Sequence, residues 1–167
     1  MSAAVSFDYY KIAPNFYELV SQAIKKDKNL LILFDVPRHI IKDEIELLFN
    51  SINGVYLAFY KAGEKGKEYI GVGGFVNFKA NRGGPELFLY VPKEFFEEAF
   101  RVILTWFFKN HSTWDNVYMT RFEEDVLNDV IERGMIKVTQ HEGDPVFMLG
   151  KYNNTNRYII NRNDVLI

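Results

Sequence analysis

"ELFLYVPKEFFEEAFRVILTWFF", residues 86–108, passes from a strand into a helix with only Pro92 to turn the chain. "ELFLYV" reads as the strand. From Lys93 to about Asn110, Phe96, Ala99, Phe100, Ile103 and Phe107 recur on one helical face. Val102 and Trp106 widen that face, which predicts a helix buried against a sheet. The start of such a helix exposes backbone N–H groups and is a natural seat for a phosphate. A phosphate binder would carry glycines there, whereas this chain has Phe95, Phe96, Glu97 and Glu98.

Upstream, residues 3–10 read as a first strand. Pro14 precedes a helix with Phe16, Tyr17, Leu19, Val20, Ala23 and Ile24 on its apolar side. "LLILFDVP" is a short apolar run, helix or strand, stopped at Pro37. A second helix carries Ile40, Ile41, Ile45, Leu48 and Phe49. From residue 54 the period changes, and "GVYLAFY", "YIGVGGFVNF" and "ELFLYV" give three strands expected to be antiparallel.

Downstream, "NVYMT" is a strand. Phe122, Val126, Leu127, Val130 and Ile131 mark a helix ended by Gly134. "MIKVTQ" and "PVFMLGKY" read as a closing strand pair around the turn "HEGDP". The fold class is α/β (α+β), a mixed, mainly antiparallel central sheet flanked by helices. Residues 1–152 form one domain, and 153–167 a terminal strand or an arm that docks on this domain or on a partner.

The bulk composition excludes several classes. Twenty basic and 22 acidic residues give a charge of −2, without the basic excess expected of a nucleic-acid binder. Cysteine is absent, which removes disulfides, thiolate metal sites and a cysteine nucleophile. The longest apolar run, Leu30–Phe34, is too short for a membrane span. No basic stretch leads into an apolar core at the N-terminus, so no signal peptide is expected and the location is read as cytoplasmic. Aromatics make up 16% of the chain, enough for a rich core or a sticky partner surface.

Few motifs carry chemistry. "GVGGF" (71–75) lacks the third glycine and following helix of a nucleotide loop, and glycine in a strand more often marks a bulge. His39, His111 and His141 have no ligand spacing, so no metal site is expected. Lys79 and Arg82 fit a solvated turn or an anion site at the mouth of the sheet. Glu123, Glu124 and Asp125 suit the first turn of a helix.

The order of elements resembles the GNAT superfamily of acyl-CoA N-acyltransferases, most closely over residues 54–151. The likeness is carried by "YIGVGGFVNF", by the opening stretch and by "NVYMTRFEEDVLNDVIERGMIKV". Small phage-encoded proteins of this superfamily look similar. The resemblance implies that the strand before the long helix splays from its neighbour and leaves a cleft for acyl-CoA. Its pyrophosphate would lie on a loop patterned Arg/Gln-x-x-Gly-x-Gly/Ala, which falls here on Lys93, Phe96 and Glu98. Val91, Lys93, Phe95 and Phe96 therefore mark the implied cofactor position.

The departures count against CoA. Phe96 would fill the space the diphosphate needs, and Glu94, Glu97 and Glu98 would repel it. Charges about 6 Å apart at an effective dielectric near 20 repel by roughly 3 kcal/mol. The family's Asn and general-acid Tyr positions fall on Glu123 and Val130, and Met135 replaces the Phe of its "GF". Tyr118 could replace the acid, and Glu68 or Glu86 could serve as base. Two functions result. One is a chain without acyl-CoA chemistry that binds protein, with a phage structural or host-interacting role, in the virion or host cytoplasm, and with oligomers allowed. The alternative is an active N-acyltransferase using acetyl- or acyl-CoA. The departures tilt the expectation to the first, with no cofactor and a protein partner.

Overall fold

The molecule is described by a computed structural model over residues 5–27, 30, 42–51, 54–76, 78, 85–111, 113–122, 139–142, 146–148, 151–153 and 155–165. It opens with strand β1 (Val5–Tyr9) and helix α1 (Phe16–Lys26), whose buried Phe16, Val20, Ala23 and Ile24 follow helical spacing. Helix α2 (Lys42–Ser51) buries Ile45 and Phe49, four apart on one face. Strands β2 (Gly54–Gly63) and β3 (Gly66–Val76) form a long hairpin, followed by β4 (Glu86–Tyr90) and helix α3 (Lys93–Asn110).

Beyond α3 come β5 (Asn116–Phe122), β6 (Thr139–Glu142), β7 (Val146–Met148), β8 (Lys151–Asn153), β9 (Thr155–Asn161) and the short helix α4 (Arg162–Val165). Among the described residues, seven strands make one sheet in the order β1-β2-β3-β4-β5-β9-β6, and β7 and β8 pair separately. Neighbours are antiparallel except β4 and β5, which run parallel.

Strand alternation sorts the side chains onto two faces. Leu57, Phe59, Phe75, Leu87, Leu89, Val117 and Met119 pack with α3 on one face. Tyr56, Ala58, Val72, Val76 and Phe88 pack with α1 and α2 on the other. The glycines of "GVGGF" belong to this packing. A Cβ on Gly71 would overlap the Tyr90 carbonyl oxygen, and one on Gly74 the Val55 carbonyl oxygen. The register skips Ile70, so Phe59 opposes Gly71 while Tyr60 opposes Tyr69, a bulge.

The closing pair differs from expectation. β6 pairs with β9 rather than with the strand after "HEGDP", because β9 inserts between β5 and β6 and bonds to both. Its Tyr158 and Ile160 are fully buried. Residues 153–167 thus include a strand of this sheet paired on both sides. The readings on Leu31–Ile41, on Lys79 and Arg82 and on Glu123–Val138 lie outside the described residues.

Candidate functional site

Pro92 sits at the N-cap of α3 without a side-chain cap, and Phe95 N–H donates to the Pro92 carbonyl at 2.9 Å. Lys93 and Glu94 are exposed in the first turn, while Val91, Phe95 and Phe96 are buried. The Phe96 ring is 2% exposed and stacks on Phe100, with centroids 5.7 Å apart. It packs into the α3-side core rather than standing at the helix mouth. Glu98 is turned away too, since its Oε1 accepts the Val5 N–H of β1 at 3.0 Å. The Lys61 ammonium lies 5.3 Å from the Phe95 ring centre, so a second cation stands beside this end of the helix. The expected obstruction at Phe96 and Glu98 is therefore corrected: helix rotation carries both inward or sideways.

Beside this helix start the sheet opens. Among the described residues, β4 and β5 share one ladder pair, Glu86 with Tyr118, and Tyr118 N–H donates to the Pro85 carbonyl at 2.9 Å. β3 holds β4 through five pairs, and β9 holds β5 through seven. The two parallel strands are therefore tied to different neighbours and splay beyond their single contact. Backbone groups alternate sides along a strand, so Pro85, Leu87, Leu89 and Val91 direct theirs toward β5. Side chains alternate likewise, placing Glu86, Phe88 and Tyr90 on the α1/α2 face. Tyr118, between the α3-facing Val117 and Met119, points to that same face.

Glu86 and Tyr118 thus stand side by side at the apex of the cleft, with the α3 N-terminus at its mouth. Four strand steps separate Glu86 from Tyr90, about 13 Å. Glu68 is not brought to this pair. It lies on the β2–β3 hairpin, more than half exposed, 3.6 Å from Lys61. Tyr90 was missed by the sequence reading, although the alternation in "ELFLY" puts it on the face of Glu86. Burial first, then the charge of Asp27, raises its phenol pKa, so it stays protonated at neutral pH. Glu123, Val130 and Met135 lie outside the described residues. Among the described residues, no three His, Asp or Glu side chains group as a metal site, and no helix is long and apolar enough to cross a membrane.

The fold as a whole has counterparts among solved structures. Spermidine N-acetyltransferase from Vibrio cholerae, in complex with CoA and spermine, matches at TM-score 0.72 over 98% of each chain, with 14% identity. The Vibrio cholerae spermidine/spermine enzyme with manganese ions matches at 0.70 over 95% of this chain and 92% of that one, also at 14% identity. A probable acetyltransferase matches at 0.64 over 97% and 95%, again at 14%. This chain has the GNAT fold. No protein-family model matches the sequence, and no curated protein does.

The expectation of a non-catalytic, protein-binding chain is corrected by these findings. Its GNAT-fold neighbours along almost the whole length carry acetyltransferase names, and one of them holds CoA. Of the residues that argued against CoA, Phe96 and Glu98 are engaged elsewhere, while Glu94 stays exposed in the first turn of α3. Neither a degenerate CoA site nor a phage origin finds support.

Proposed function

We propose that this GNAT-fold chain is an acyl-CoA N-acyltransferase, moving an acyl group from the CoA thioester to an amine. The observation that carries the reading is the β4–β5 splay beginning at Glu86 and Tyr118, beside an α3 N-terminus cleared of the Phe96 ring. The diphosphate would lie against the first turn of α3 with Lys93, where helix N–H groups and the dipole favour an anion. An extended pantetheine arm carries two amides and can bond to a strand as a strand would, along the side of β4 that faces β5. Laid from the helix start toward the apex, it brings the thioester to Glu86 and Tyr118.

The acceptor amine enters from the α1/α2 face. Glu86 takes the proton that the amine nitrogen loses as its bond to the acyl carbon forms. As the carbon–sulfur bond breaks, the Tyr118 hydroxyl supplies a proton to the departing thiolate. Spermidine, named for the neighbours, is the first acceptor to try.

Titration with acetyl-CoA should stabilise the protein saturably, by about 2.7 kcal/mol at 100 times the dissociation constant. Thiol release with an amine panel should follow. Glu86→Gln and Tyr118→Phe should each lower kcat roughly 10²-fold or more while keeping the acetyl-CoA shift. Absence of any saturable shift or thiol release would sink the assignment.

A further inference from the structure

A cavity of about 420 Å³ lies where the chain leaving β1 enters α1 and meets α2. That is within the roughly 300–1,000 Å³ of small-ligand pockets. β1 is three strands from β4, about 14 Å across the sheet, so this cavity is not the cleft at Glu86 and Tyr118.

One part of its lining is apolar and held in place. Ala13 and Phe16 are buried, and the partly buried Tyr10 and Tyr17 add two ring walls, 6.4 Å apart with planes at 68°. Tyr10 is fixed in turn by Phe16 at 5.5 Å and by Tyr56, edge-on, at 5.6 Å. The rest of the lining is polar and exposed, and it carries one charge of each sign. The Lys11 ammonium lies 5.8 Å from the Tyr10 ring centre. Burial first, then Tyr10 and the Glu46 charge, raise the Tyr17 phenol, which sets Glu46 of α2 near the other wall. Among the described residues, Lys11 and Glu46 form no ion pair with each other. Asn15 also lines the cavity. It holds a left-handed backbone (φ 59°) at the N-cap of α1, yet its side chain makes no capping bond. An N-cap asparagine ordinarily gives its oxygen to the helix, whereas this carboxamide is left to the cavity.

We infer that this cavity binds a free α-amino acid with a bulky apolar side chain, its ammonium held by Glu46 and its carboxylate by Lys11. The side chain packs among Tyr10, Ala13, Phe16 and Tyr17, and the zwitterionic head stays at the polar rim. Charge decides the class. A simple amine would meet Lys11, a simple acid would meet Glu46, and a neutral ligand would use neither charge. A zwitterion placed between the two makes a charge-assisted bond of about 2.8 Å at each end. The Asn15 carboxamide adds a donor and an acceptor for the same head group. This site stands whether or not the cleft transfers acyl groups.

Calorimetry on the full chain should show saturable binding of L-phenylalanine and L-leucine. Phenethylamine lacks the carboxylate and 3-phenylpropionate the ammonium, and each should bind at least about tenfold more weakly than L-phenylalanine. Glu46→Gln should weaken L-phenylalanine by a similar factor and leave 3-phenylpropionate unchanged. Lys11→Met should weaken L-phenylalanine and leave phenethylamine unchanged. Both positions are exposed, so both variants should melt with the parent and keep its acetyl-CoA shift, which separates a failure here from a failure of the acyltransferase reading. Amide NMR shifts on adding L-phenylalanine should centre on residues 10–17 and 46–50. No saturable binding of either amino acid at millimolar concentration would overturn the inference. Equal affinity for all three phenyl compounds would do the same, as would shifts centred on Glu86, which would make the amino acid an acceptor in the cleft.

Discussion

Tyr56 shows how one side chain ties chemistry to stability. Its ring stacks on Phe49 at 4.3 Å, meets Tyr10 edge-on at 5.6 Å, and is only 3% exposed. Burial, followed by the charges of Tyr10 and Tyr17, pushes its phenol up to about 12 from 10. The folded state thus holds this proton more tightly than the unfolded chain. Its contribution is intact below pH 10 and is lost as pH rises from about 10 toward 12, by up to roughly 1.4 kcal/mol per unit. Urea titrations across that window should show the decline, and Tyr56→Phe should flatten it. Phe96 teaches a different lesson at the same scale. Helical spacing put it on the buried face with Ala99, Phe100, Ile103 and Phe107, while the family loop pattern put it at the ligand mouth. Both readings were in the sequence, and the core decided between them. Burying a phenylalanine stabilises by about 1.5–3 kcal/mol, more than a bare loop position could offset.

Among the elements, α3 was the most legible and its two ends the least. Periodicity located its buried stripe, yet no local pattern announces that Glu98 reaches β1 or that Arg162 closes the other end. Arg162 donates to the carbonyl oxygens of Phe108, His111 and Trp114, and its guanidinium carbon lies 5.1 Å from the Phe108 ring centre. Two of these carbonyls belong to the last turn and cap of α3, where helices lack internal donors. The partner is more than 50 residues away in sequence, so only the folded chain reveals it. Arg162→Ala should cost about 2–4 kcal/mol, because removing several charge-assisted bonds strands partly buried carbonyls. Arg162→Lys should recover little, since one ammonium cannot reach three diverging oxygens. Thermal unfolding of the two variants against the parent checks both expectations.

Across the whole molecule, the sequence exposed the order of elements up to β5 but not which strands would be neighbours beyond it. Local periods cannot say that β9 slips between β5 and β6, because that pairing joins segments far apart in the chain. The consequence reaches the cleft. Where β5 leaves β4 it keeps β9 as a partner along its whole length, from Asn116 opposite Asn161 to Phe122 opposite Thr155. Weakening β9 should therefore loosen the cleft wall as well as the fold. Tyr158, fully buried in the α3-side core, is the place to test this. Tyr158→Ala should cost about 3–5 kcal/mol, in the range of large aromatic truncations. Tyr158→Phe keeps the packing and should cost no more than about 1.5 kcal/mol. If β9 sets the cleft, the alanine variant, studied where it is still folded, should bind acetyl-CoA more weakly. Its β5 amides should also exchange faster than those of β2 and β3. Equal exchange in both regions, with unchanged binding, would mean that β5 holds its place without β9.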